Sequence, residues 1–156
     1  MRPKSIFRVR HRRSALCRAT AEPLERRRLL SLDAPEAVAT FDGGPLDDTI
    51  TLDYVGDVLV VEVSGQTWNL VPSQLTGIVL NGLGGNDWIN IERNAGVPVI
   101  VNGGAGDDTV HLSCWAENLG NLPGEVRVFG GGEADRTVAW DRGSTPRTHT
   151  FDNTWL

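Results

Sequence analysis

Lysine is nearly absent from this chain. Of 156 residues only Lys4 is a lysine, and the other cationic side chains are arginines. They are unevenly placed. Residues 1–31 hold ten Lys or Arg against two Glu, a balance of +8, whereas the remainder holds five Arg against eighteen Asp and Glu, a balance of −13. An acidic body almost free of lysine argues against nucleic acid as a partner and suits a surface that takes up cations. Cysteine is equally scarce. Cys17 and Cys114 are too few for a disulfide scaffold and lie in differently composed parts, so they do not set the redox compartment. No apolar run precedes Cys17, which removes a lipoprotein context, and Cys114 reads as a small buried side chain. No stretch approaches the ~18 apolar residues of a membrane span. Residues 1–31 also lack the apolar segment of an ordinary signal peptide.

What the chain has in quantity is glycine, eighteen residues, and the glycines are ordered. Gly103-Gly104-Ala105-Gly106-Asp107-Asp108-Thr109-Val110-His111 reads G-G-x-G-x-D-x-V-x. Glycine allows positive φ and lets backbone carbonyls converge with no Cβ between them. A carboxylate in sixth place adds to those carbonyls a hard oxygen ligand of the kind calcium prefers. The β-branched eighth residue starts a strand and points to a core. Three further copies align with it. The stretch from Gly82 to Asn90 keeps Asp87 and Ile89; that from Gly43 to Thr51 keeps Asp48 and Ile50 but has Leu46 in fourth place; that from Gly130 to Val138 keeps Asp135 but has Glu133 fourth and Thr137 eighth.

The rest of the body reads as short strands between turns, an all-β pattern. Ile50, Leu52 and Tyr54 alternate, as do Leu59, Val61 and Val63 after the Gly56-Asp57 turn, and Ser64-Gly65 turns into Gln66–Val71. This part predicts an antiparallel meander that caps the open end of the repeats, because exposed strand edges invite association. From Thr76 the pattern becomes a repeated unit of strand, glycine turn and strand. Gly82 and Gly103 are 21 residues apart, and so are Ile78 and Val99, Ile89 and Val110, and Ile91 and Leu112. Apolar positions that recur at one interval stack from unit to unit, as a parallel β-solenoid (β-roll or β-helix-like) requires. A third unit with Val126, Val128 and Phe129 runs through the fourth glycine turn to Trp140, and Thr148–Phe151 reads as one more strand. The expected division is a disordered basic leader over 1–31, a linker over 32–41 and the β domain over 42–156.

The glycine–aspartate nonapeptide resembles the calcium-binding repeat of haemolysin-type (RTX) proteins. The resemblance covers roughly residues 42–140. It implies a secreted or cell-surface protein that folds around calcium, with Asp87 and Asp108 as carboxylate ligands, Gly82, Gly84, Gly103 and Ala105 as carbonyl donors, and Asp48 and Asp135 as weaker ligands. Repeats in that family follow one another directly, whereas here only one turn per unit fits. Near the N-terminus, Ala21-Glu22-Pro23-Leu24-Glu25-Arg26-Arg27-Arg28-Leu29-Leu30-Ser31 resembles the LEPR-XLL segment of large bacterial surface proteins, with Arg26 where the motif has proline. That resemblance implies sorting or export.

Catalytic constellations are weak. Adjacent strand residues face opposite ways, so Asp47-Asp48 and Asp107-Asp108 do not form dyads by themselves. His11, His111 and His149 are scattered, no H-E-x-x-H or G-x-S-x-G occurs, and His111 reads as a surface residue. Trp68, Trp88, Trp115, Trp140 and Trp155 read as core or cap packing rather than a sugar platform. The expected function is therefore a non-enzymatic calcium-binding surface or adhesive module, whose partners beyond calcium would be cell-surface polymers or other surface proteins. Two alternatives stand beside it: a carbohydrate-active β-helix (polysaccharide lyase or glycosidase-like), and a metal-free solenoid with purely structural glycine turns.

Overall fold

The computed structural model describes residues 37–143. The basic leader, the LEPR-XLL-like segment, Cys17, His11, His149, Trp155 and the strand expected at Thr148–Phe151 lie outside the described residues. The fold is all-β. Its strands are β1 (Ala37–Asp42), β2 (Thr49–Val55), β3 (Val58–Val63), β4 (Gln66–Leu70), β5 (Leu75–Gly84), β6 (Trp88–Ile91), β7 (Val99–Ala105), β8 (Thr109–Leu112), β9 (Val126–Gly131) and β10 (Arg136–Ala139).

They form two sheets. One has the order β1-β5-β7-β9 and is wholly parallel. The other has the order β10-β8-β6-β2-β3-β4, parallel from β10 to β2 and antiparallel from β2 to β4. Consecutive strands alternate between sheets around each glycine run: β1 to β2, β5 to β6, β7 to β8 and β9 to β10. The apolar pairs inferred from the 21-residue interval are register partners, namely Ile78 with Val99, Ile89 with Val110 and Ile91 with Leu112.

The strand alternation places one set of aliphatics inward. Phe41, Ile78, Leu80, Val99 and Val101 of the first sheet join Ile50, Leu52, Ile89, Ile91, Val110 and Leu112 of the second in a single buried core. Each fully buried side chain of this size stabilises the fold by about 1.5–3 kcal/mol relative to exposure. The expected meander is β2-β3-β4. Its last strand carries Trp68, whose ring lies 5.3 Å from that of Phe41 on β1, so the hairpin shields the core where the two sheets begin.

Two expectations need correction. Residues 37–41, read as linker, are strand β1, paired in parallel with β5 through Phe41–Leu80. The strand–glycine–strand unit therefore starts at Ala37 and not at Thr76, and β2 belongs to it as well as to the meander. The glycine runs are also not turns from their first residue. Gly82–Gly84 still belong to β5 and Gly103–Ala105 to β7, and the chain bends only afterwards.

Candidate functional site: an aspartate ladder along the glycine corners

Asp48, Asp87 and Asp108 each stand one residue before a strand of the second sheet, and Asp135 does the same for β10. Alternation fixes their direction. Two residues on from Asp87 and Asp108 come Ile89 and Val110, which are buried, so the aspartates share the inward face. Asp87 and Asp108 are 2% and 1% exposed.

The carboxylates form a ladder. The backbone N–H of Asp48 donates to Asp87 Oδ1 at 2.8 Å, that of Asp87 to Asp108 Oδ1 at 2.9 Å, and that of Asp108 to Asp135 Oδ1 at 3.0 Å. Sequence separations of 39, 21 and 27 residues thus converge on one edge. The opposite oxygens differ. Oδ2 of Asp87, Asp108 and Asp135 is buried and has no hydrogen-bond partner. A buried carboxylate oxygen left this way is costly unless something neutralises it.

The glycines make the room. A Cβ on Gly82 would lie 2.1 Å from Asp87 Oδ2 and 2.4 Å from the Gly103 carbonyl oxygen; one on Gly103 would lie 2.2 Å from Asp108 Oδ2 and 2.5 Å from the Gly130 carbonyl oxygen. Each aspartate therefore occupies side-chain space that its own glycine vacates, beside a carbonyl from the next unit. At the first unit, the corresponding point on Gly43 lies 2.6 Å from the Gly82 carbonyl oxygen and 2.9 Å from Asp48 Oδ2. The carbonyl donors read from the sequence separate accordingly. Gly82 and Gly103 reach the aspartates, while the Ala105 carbonyl accepts from Gly85 N–H at 2.9 Å and Gly84 is tied by its own N–H to the Gly44 carbonyl at 3.1 Å. Gly130 was missed, although it opens the fourth copy of the same motif.

Electrostatics follow from burial. Desolvation pushes the carboxyls of both Asp87 and Asp108 above the usual aspartate range. For Asp87, the hydrogen bond from Asp48 opposes this, and the charge of Asp108 adds to it; for Asp108, the bond from Asp87 opposes and the charge of Asp135 adds. A cation between such groups would remove both penalties. Among the described residues no group of three or more His, Cys, Asp or Glu is placed to hold a metal ion. The Asp87 and Asp108 rungs each present instead one orphaned carboxylate oxygen and one glycine carbonyl. These are hard oxygens of the class calcium takes, but two of its roughly six to eight.

A second, exposed ladder runs one residue earlier. Asn86 N–H donates to Asp47 Oδ1 at 2.7 Å, Asp107 N–H to Asn86 Oδ1 at 2.9 Å, and Ala134 N–H to Asp107 Oδ1 at 3.0 Å. Asp107 and Asp108 therefore act in separate ladders, not as a dyad. The recurrence of Asp or Asn in fifth place was a readable signal for this row.

His111 is not a surface residue. It is 8% exposed, stacks on Trp88 with ring centroids 4.3 Å apart, and leaves Nδ1 without a partner. Burial, then the neighbouring Arg136, lowers its pKa from the ordinary histidine value. Trp88 itself is 48% exposed, on the outer face. No helix among the described residues is long and apolar enough to cross a membrane. No protein-family model, curated protein or solved structure matches the chain.

Proposed function

We propose that this chain is a calcium-stabilised parallel β-solenoid with a β-hairpin cap, acting as a non-enzymatic structural or adhesive module that is secreted or displayed at the cell surface. The carrying observation is the buried, partnerless Oδ2 of Asp87 and Asp108, each set beside a glycine carbonyl of the next unit. Calcium neutralises the repulsion along the ladder and supplies the missing partner for each oxygen. Asp87, Asp108, Gly103 and Gly130 are the residues that would hold it. The haemolysin-type repeat pattern supports the same reading, and the LEPR-XLL-like segment supports the surface location. Cell-surface polymers or other surface proteins are the partners such a module would meet.

One observation favours a metal-free alternative. Oδ1 of Asp87, Asp108 and Asp135 already receives a backbone N–H, so the ladder holds adjacent units together without any ion. A carbohydrate-active reading draws less support, since Asp87 and Asp108 are buried and the exposed Asp47 and Asp107 are engaged by backbone N–H groups of neighbouring units. Calorimetric titration of the full chain with calcium chloride, against magnesium chloride, separates the first two. Saturable, calcium-selective heat supports the proposal; none at millimolar calcium leaves the structural ladder as the function of these residues.

A further inference from the structure

The rungs of the ladder are not chemically equal. Asp48, the first, has both carboxylate oxygens engaged: Oδ2 accepts the backbone N–H of Gly44, and Oδ1 accepts the hydroxyl of Ser64. Ser64 comes from the β3–β4 hairpin, where Ser64 and Gly65 take positive φ values of 45° and 87°, as a two-residue hairpin turn of the primed type requires. A bond from Ser64 N–H to the Thr49 carbonyl at 2.9 Å ties that turn beside the first aspartate. The hydroxyl thus stands where each later rung receives a backbone N–H from the rung before it. Asp87 and Asp108 have one oxygen engaged, one orphaned, and a glycine carbonyl from the next unit alongside. At Asp135 Oδ2 is also without a partner, but the three atoms nearest the Cβ position of Gly130 all belong to Asp135 itself, so no carbonyl stands as near there as those of Gly103 and Gly130 do at the other two rungs.

We infer that calcium loads the ladder at the Asp87 and Asp108 rungs, and that Ser64 and Gly44 hold Asp48 out of the metal row as a permanently hydrogen-bonded end rung. This rests on the calcium reading above and narrows it. Hydrogen bonds to both Asp48 oxygens already offset the cost of its charge, so an ion gains less there than at the buried Oδ2 of Asp87 and Asp108, which nothing else compensates. The hairpin is then a plug that ends the row, and an aspartate matching the repeat by sequence is not a ligand.

The test compares calcium titrations of the full native chain with those of Asp48→Asn and Asp108→Asn. The expected result is unchanged stoichiometry and less than a twofold change in Kd for Asp48→Asn, and loss of at least one calcium equivalent for Asp108→Asn. If the native chain binds calcium and Asp48→Asn loses an equivalent, the calcium reading stands and this inference is overturned. If the native chain binds none, both fall. Should Asp48→Asn fail to fold, carboxyl ¹³C shifts of the labelled native chain decide the point. Calcium should move the Asp87 and Asp108 resonances and leave that of Asp48 in place; an equal shift at Asp48 overturns the inference.

Discussion

Asp87 and Asp108, 21 residues apart, are joined by a single hydrogen bond in which the backbone N–H of Asp87 donates to Asp108 Oδ1 at 2.9 Å. This bond links two glycine corners and fixes their register. It also turns the other oxygen of Asp108 toward buried space.

The first consequence concerns pH. Burial raises the carboxyls of Asp87 and Asp108 above their unfolded value. Without calcium, their contribution to stability is therefore fully present below the unfolded value and is lost as pH rises through the folded one. Melting of the native chain in chelator, compared with Asp108→Asn over pH 3.5–7, should show the native protein gaining relative to the variant on acidification. A native-minus-variant difference independent of pH would show that desolvation does not govern this rung.

The glycine corners give a steric test. Gly104 has φ 116°, and a Cβ there would meet the Leu83 carbonyl oxygen at 2.4 Å. Gly104→Ala should cost roughly 2–3 kcal/mol in denaturant unfolding, combining a strained backbone with a clash. Gly132→Ala, with nothing within 4 Å, should be within about 0.5 kcal/mol of native. Leu83, the register partner of Gly104, is itself at φ 78° and exposed, so Leu83→Gly should be neutral or stabilising by up to about 1 kcal/mol.

Packing on the second sheet makes a third. Val110→Asp buries an unpaired charge in the core and should cost several kcal/mol. His111→Asp should also be costly, roughly 1–3 kcal/mol, because the imidazole is buried and stacked on Trp88. Equal stability of native and His111→Asp in a urea titration would place that side chain in solvent.

Asn94 offers a polar counterpart. It is fully buried; its Nδ2 donates to the Gly124 carbonyl at 2.9 Å, and its Oδ1 accepts from Gly124 N–H at 3.2 Å and Gly96 N–H at 3.3 Å. Asn94→Ala strands several backbone groups and should cost about 2–3 kcal/mol. A loss below about 0.5 kcal/mol would mean water replaces the side chain freely.

The middle of the fold was legible because β5-β6 and β7-β8 repeat with no insertion, so Ile78, Ile89 and Ile91 find their partners 21 residues on. The first unit was obscured by the β3–β4 hairpin, which stretches the interval to 39 residues between Asp48 and Asp87, and by the short Ala-Val-Ala-Thr-Phe-Asp strand that lacks a periodic signature. The loop over 113–124 lengthens the last interval to 27 in the same way. His111 was misread because alternation gives the face of a residue but not what covers it, and Trp88 lies across it. The aspartates were found by spacing. The pairing of Ser64 with Asp48 was beyond spacing, since it depends on a hairpin folding back 16 residues.

The most direct measurement is the melting temperature of the full native chain with and without calcium, with magnesium as control. Extracellular calcium modules bind at about 10⁻⁴–10⁻³ M, and a tenfold excess over Kd stabilises the folded state by roughly 1.4 kcal/mol. At several millimolar calcium the account expects a rise of a few degrees, absent with magnesium and reduced more by Asp108→Ala than by Asp135→Ala. A melting point unmoved by calcium in the native chain would contradict it and leave the aspartate ladder as a metal-free structural device.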